Sequence, residues 1–227
     1  MAGIRTDEPY PREQPLSWES FQPASLELER LVRPRPPAPR DFADVIRARR
    51  SELAGRSVGW SHVAELLWHA AGSTGYADSG RAGLPIEWRA SPSAGGLHAV
   101  RLLCINDDAD YRPRLYNSID HAFHILDVDS EDIAAKNAAA VAAVVGTHRG
   151  CTIRLIADIS KVVSAYENAD SLILRDAGCL VSTLCLCAEW LDLAACPLGF
   201  LGEDMVSPLG FPQPRFRAVG GVQITRR

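Results

Sequence analysis

Residues 89–98 read Arg89-Ala90-Ser91-Pro92-Ser93-Ala94-Gly95-Gly96-Leu97-His98 and run directly into the apolar stretch Val100–Ile105. Small residues, a proline and two glycines in one turn let backbone N–H groups approach a ligand that bulkier side chains would hold off. Read alone, the segment is equally an ordinary tight turn before a strand. It gains meaning from Arg49-Arg50-Ser51 upstream and from the run Asp176-Ala177-Gly178 to Cys196-Pro197-Leu198-Gly199-Phe200 downstream.

Composition narrows the field. A chain of 227 residues suits one full-sized domain, and 47% hydrophobic with 23% charged residues is ordinary globular usage. The formal charge of −4 provides no bulk attraction for nucleic acid or an anionic membrane, so neither is expected as a partner. There is no basic stretch followed by an apolar core and cleavage site, and no run of 18 apolar residues. The six cysteines, at 104, 151, 179, 185, 187 and 196, form no C-x-x-C pair and lie mostly in apolar runs. They read as core thiols in a reducing cytoplasm rather than as disulfides or ligands.

Hydrophobic periodicity predicts an α+β domain over residues 41–227, preceded by an arm over residues 1–40. The arm holds eight of the fifteen prolines and equal numbers of arginines and acids, six each. It reads as an extended segment without a fold of its own, wrapping a neighbour or mobile. Its apolar cluster Leu16–Phe21 is expected to dock on the main body or on a partner. Asp41 is expected to cap a helix presenting Phe42, Val45 and Ile46 on one face. Ser61 is expected to cap a second, with the stripe Val63, Leu66, Leu67, Ala70, stopped by Gly72. Strands are expected at Val100–Ile105, Arg114–Asn117, Phe123–Val128, Thr152–Ile159 and Arg217–Thr225, and an alanine-rich helix at Ser130–Val145. Asp170–Leu193 is apolar almost all round and reads as a central core helix.

Chemistry-bearing residues are few. Arg49, Arg50 and Ser51 suit a phosphomonoester, through charge-assisted bonds from the guanidiniums and a donor from the hydroxyl, though the same run also fits a solvated helix end. The phosphate-loop, dinucleotide, zinc-protease and serine-hydrolase motifs are all absent from the sequence. His121 and His124 would point to opposite sides of a strand, which argues against a metal pair.

Taken in order, the Arg-Arg-Ser helix end, the Pro-Ser-Ala-Gly loop and the Asp-Ala-Gly helix leading to Pro-Leu-Gly resemble the SagB-type dehydrogenases (azoline oxidases) of the FMN-dependent nitroreductase superfamily. The resemblance covers residues 41 to 224. It implies a nitroreductase-like fold, an antiparallel or mixed sheet flanked by helices, forming a homodimer with exchanged terminal arms and FMN at the interface. It places the FMN phosphate and ribityl chain on Arg49, Arg50 and Ser51, one ring edge along Ser91, Pro92, Ser93, Ala94 and Gly95, and one ring face under Pro197, Leu198 and Gly199. Arg226 and Arg227 are either a further phosphate contact or a solubilising tail.

The implied activity is dehydrogenation of a heterocycle or amino-acid-derived unit in natural-product biosynthesis, best known as azoline-to-azole oxidation. The flavin takes a hydride while a base takes the adjacent proton. Without a leader-binding domain, a peptide substrate would be presented by a separate cyclodehydratase or carrier protein. Two departures bear on this. Leu53 stands where relatives commonly carry an arginine, and gap-free counting from Asp176 puts Ser164 and Ala165 where they carry a Lys-Tyr pair. Tyr166 and Lys161 are then the candidate bases. His98 stands where relatives usually carry an aromatic residue. A reductase of small electrophiles driven by NAD(P)H, and a flavin-free scaffold subunit, are the alternative readings.

Overall fold

The computed structural model describes residues 7–52, 55–80 and 82–227; Leu53 lies outside the described residues. In chain order the strands and helices are β1 (Tyr10–Pro11), β2 (Ser25–Arg30), α1 (Phe42–Ala48), α2 (Trp60–Ala71), β3 (Gly75–Ala77), β4 (Ile86–Trp88), β5 (Val100–Asn106) and β6 (Arg114–Asn117). They continue as β7 (Ala122–Leu126), α3 (Ser130–Val145), β8 (Cys151–Asp158), α4 (Ile159–Ala165), β9 (Tyr166–Glu167), α5 (Asp170–Trp190), β10 (Leu193–Leu198) and β11 (Phe216–Arg226). Seven strands form one antiparallel sheet in the order β10-β11-β8-β5-β6-β7-β2.

Strand β8 shows why the sheet is interior. All eight of its residues are buried, and successive side chains alternate across the sheet. Ile153, Leu155 and Ala157 join the core beneath α2 and α5, while Ile156 enters the opposite core with Phe211 and Phe216. The polar members of that second face are tied together: Thr152 Oγ1 donates to Gln223, and Arg154 Nε donates to Asn137 of α3. Buried polar groups are stable only when bonded in this way.

Several helices follow their sequence patterns. Asp41 caps α1 by accepting from the Ala43 amide, α2 buries Val63, Leu66, Leu67 and Ala70, and α3 spans the expected residues. Other details differ. Gly59, not Ser61, is the cap residue of α2. Only Val45 of α1 is buried, leaving Phe42 68% and Ile46 50% exposed. Helix α5 is long and apolar enough to cross a membrane by length and composition. Here it packs along one face only, with Ile173, Ala177, Leu180, Leu184 and Ala188 inward and Leu174 58% exposed. A helix apolar all round was expected to be covered all round. Within one chain the sheet supplies a single covering surface, so half of the apolar stripe stays open.

Residues 7–40 contact their own chain. Strand β2 pairs antiparallel with β7, and β1 with β9. Phe21 packs between Phe211 and Phe216, with centroids 6.2 and 4.9 Å away. Trp18 donates its indole N–H to Asp158 at 3.2 Å. The Leu16–Phe21 cluster therefore docks on its own chain, Phe21 on the second face of the sheet and Trp18 against Leu84, Leu97 and Ala165.

Candidate functional site

Helix α5 is the ruler on which the sequence-predicted segments are laid out. Near its start, the Asp176 carboxylate accepts from Ser93 Oγ at 2.6 Å and from the Ala94 amide at 3.1 Å. Ser93 Oγ in turn accepts from the His98 amide at 3.0 Å. These bonds hold the turn, which kinks at Gly95 with φ +60°. That left-handed backbone favours glycine. A Cβ there would also meet the Tyr166 phenol oxygen at 2.8 Å. Burial pushes the Asp176 carboxyl up, opposed by the bonds from Ser93 and Ala94. Because the Ala94 amide is taken by Asp176, it is not a free donor for a ligand, contrary to the simplest reading of the loop as a row of open amides.

Nine residues further along α5, about 13 Å at helical rise, Arg49 lies close enough to Cys185 to act on its thiol electrostatically. Arg49 is half-buried at the end of α1, and among the described residues no carboxylate lies within ion-pair distance of it. Arg50 is exposed, with Glu52 at 3.9 Å. Ser51 bridges Ala195 in parallel, and the Glu52 amide donates to the Ala195 carbonyl at 3.1 Å. Arg49, Arg50 and Ser51 are thus carried to β10, the strand that contains Pro197 and Leu198. Those two residues, expected in a loop, are the end of that strand: Pro197 is exposed, Leu198 is buried, and exposed Gly199 follows. Of the loop residues, Ser91 is buried, Ser93 and Ala94 are half-buried, and Pro92 and Gly95 are exposed. The three segments therefore converge on α5. A Cβ added at Gly178 or Gly199 would meet nothing within 4 Å, so both glycines face open space.

The Lys161–Tyr166 region resolves differently from a connecting loop. It is helix α4, with Lys161 inside it and Tyr166 at its C-terminal cap. Ser164 and Ala165, the residues on the counted Lys-Tyr positions, are buried, and Ser164 Oγ donates back to the Ser160 carbonyl. Lys161 and Tyr166 instead both reach the Ser91–His98 loop. Lys161 Nζ donates to the Leu97 carbonyl at 2.6 Å, and Tyr166 lies against Gly95. Burial holds the Lys161 ammonium down at about 8. His98 is driven down to about 4, mainly by burial, so it is neutral at pH 7.

The C-terminal arginines and His121 are committed to other partners. Arg227 is committed to Glu189, Glu52 and Asp192, and the Arg226 amide to the Arg56 carbonyl, so Arg227 serves as a tie between α5 and the chain end. His121 is spent on the Tyr116 hydroxyl and the Val32 carbonyl, and among the described residues no group of three metal-ligating side chains gathers. Sequence reasoning also missed Arg154. Buried on β8, it lies 4.8 Å from the centre of the Phe200 ring and so braces the segment just after Gly199. A charged residue inside an otherwise apolar strand was its only signal.

No family model and no curated protein matches the chain. Solved structures do. A protein of Ralstonia eutropha assigned to the nitroreductases aligns at TM-score 0.67 and 15% identity, over 94% of this chain and 97% of the other. One from Desulfovibrio desulfuricans, likewise assigned and in complex with FMN, gives 0.52 and 17%, over 83% and 87%. A chain of the Escherichia coli microcin synthetase McbBCD complex, with truncated pro-MccB17 bound, gives 0.59 and 13%, over 79% and 70%. At these identities the likeness is one of fold. The chain has the nitroreductase fold.

Two outcomes follow from the loop's anchoring. Asp176→Ala leaves the half-buried Ser93 and Ala94 donors without their carboxylate and should lower the unfolding free energy by about 1 kcal/mol, read by urea denaturation. Lys161 releases its proton near pH 8 when folded and near 10.5 when unfolded, so the unfolded chain binds more protons between those values. Its contribution to stability therefore rises with pH across that window, and Lys161→Met should show a smaller gain in urea midpoint from pH 7.5 to 9.5 than the parent.

Proposed function

We propose that this chain is an FMN-dependent oxidoreductase of the dehydrogenase type, acting on a heterocycle or amino-acid-derived unit in natural-product biosynthesis, with azoline-to-azole oxidation on a partner-presented peptide as the specific reaction. The observation that carries the reading is the convergence of Arg49–Ser51, the Ser91–Gly95 loop and Pro197–Gly199 along α5. The residues fit the cofactor: a half-buried guanidinium free of carboxylates, a hydroxyl beside β10, and two glycines opening onto unfilled space. The Desulfovibrio neighbour's complex with FMN supports the cofactor, and the microcin synthetase neighbour supports a role beside partner enzymes.

When bound, FMN supplies a hydride acceptor that oxygen can restore. Every other task falls to the protein. Arg49 and Arg50 neutralise the phosphate and Ser51 donates to it. Asp176 keeps the loop in one conformation, so that ring binding does not have to order it. Tyr166, beside Gly95, is the group placed to hold the substrate proton. Lys161 positions the loop through the Leu97 carbonyl and keeps the region electropositive.

The active form is a homodimer. Phe42 and Ile46 on α1, beside the proposed phosphate residues, and Leu174 near the start of α5 present large apolar surfaces, and such surfaces are ordinarily covered. The protein works in the cytoplasm, where its six free cysteines stay reduced.

Purified protein mixed with FMN and then desalted should retain one flavin per chain by absorbance, at twice the monomer mass by light scattering. Arg49→Gln should weaken FMN binding roughly tenfold or more, the worth of a charge-assisted contact. Tyr166→Phe should keep the flavin and lose about 10²-fold in azoline turnover. A colourless protein overturns the oxidase reading in favour of a scaffold subunit; anaerobic bleaching by NADPH without azoline turnover favours the reductase.

A further inference from the structure

Strands β5 and β6 pair only at Leu103–Leu115 and Cys104–Arg114. Before Leu103 they part, β5 staying with β8, and the gap opens into a cavity of about 320 Å³. Arg101 and Lys161 enter it with Trp18, Phe21 and Tyr116 as walls. None of Arg49–Ser51 or Pro197–Gly199 lines it.

The charges in this cavity do not cancel. Glu87 is paired with Arg89 at 2.8 Å and Asp158 with Arg215 at 2.8 Å. Arg101 donates only to neutral groups, the Phe21 carbonyl at 2.8 Å and Gln22 Oε1 at 3.0 Å. Lys161 donates to the Leu97 carbonyl and lies 5.1 Å from the Trp18 ring centre. Among the described residues, neither cation has a carboxylate within 4.0 Å. Burial lowers the affinity of both for their protons, Arg101 to about 10 and Lys161 to about 8. A buried lysine and a half-buried arginine without a direct ion-pair partner, offset only at longer range by Glu87 and Asp158, are an arrangement that an anion would relieve.

We propose that the cavity between β5 and β6 binds a small organic carboxylate, its carboxylate on Arg101 and Lys161 and its apolar body against Trp18, Phe21 and Tyr116. A planar guanidinium fork matches a carboxylate bidentately. The volume equals that of about ten water molecules at bulk density, more than an inorganic anion fills, and the aromatic walls favour a ring-bearing acid. The cavity shares none of the proposed phosphate contacts, while Lys161 and His98 on its lining also border the Ser91–His98 loop.

Sodium benzoate is the probe, titrated calorimetrically into the full chain, with inorganic phosphate as the comparison. Saturable one-to-one benzoate binding is expected, weakened at least tenfold in Arg101→Gln. Ser20 is exposed on the cavity lining, so Ser20→Trp should block the probe without disturbing the core, with folding checked by the thermal transition and flavin retention by absorbance. Absence of benzoate binding to the parent overturns the proposal. So does binding unchanged in both variants, or Arg101-dependent binding of phosphate with none of benzoate. Loss of benzoate binding in Ser20→Trp with flavin retention unaltered supports it and separates this cavity from the proposed flavin site.

Discussion

The carboxylate of Asp176 is the constraint on which the candidate site depends. One side chain near the start of α5 holds the Ser93 hydroxyl and the Ala94 amide, and through Ser93 the His98 amide. A loop rich in glycine and small residues has high conformational entropy when unfolded, and it needs such an anchor to present one shape. Helix α5 in turn takes its position from the sheet, because Ile173, Ala177, Leu180, Leu184 and Ala188 are inserted into the core beneath it. The order is hierarchical: sheet burial places the helix, the helix places Asp176, and Asp176 places the loop.

The same helix leaves an apolar face open. Its outward apolar face, the exposed Phe42 and Ile46 of α1 and the carboxylate-free Arg49 lie in one region. Apolar area and a guanidinium without an ion-pair partner are different surfaces, the first uncharged and the second cationic. On the opposite side of the sheet the chain covers itself, with Phe21 and Trp18 closing over β8 and β11. An edge strand supplied by residues 25–30 completes that half.

Electrostatic commitments separate residues that look alike in sequence. Arg227 and Arg49 are both arginines near apolar runs, yet Arg227 is saturated by acidic partners and Arg49 is not. Arg101 and Arg114 both lie on strands, yet Arg114 is paired with Glu29 and Asp110 while Arg101 faces only neutral oxygens. Availability, rather than charge, distinguishes a ligand-binding arginine from a structural one, and availability is a property of neighbours distant in sequence.

Local patterns determined much of this protein. The 3.6-residue stripe of α2, the boundaries of α3, the Asp41 cap and the apolar strands β5 and β8 all follow from short-range periodicity, because burial of one face acts on neighbouring residues of one element. The glycine loop and the Arg-Arg-Ser segment were equally legible, as was the nitroreductase resemblance that joined them. Only the tertiary structure decided that Lys161 and Tyr166 flank the loop from a short helix while Ser164 and Ala165 are buried, and that the arm joins its own sheet. It likewise decided that Asp176 holds Ala94 and that a charged cavity opens where β5 and β6 part. Those outcomes rest largely on hydrogen bonds, ion pairs and desolvation between residues far apart in the chain, from Lys161 and Leu97 to Tyr10 and Glu167, whose partners no local pattern specifies.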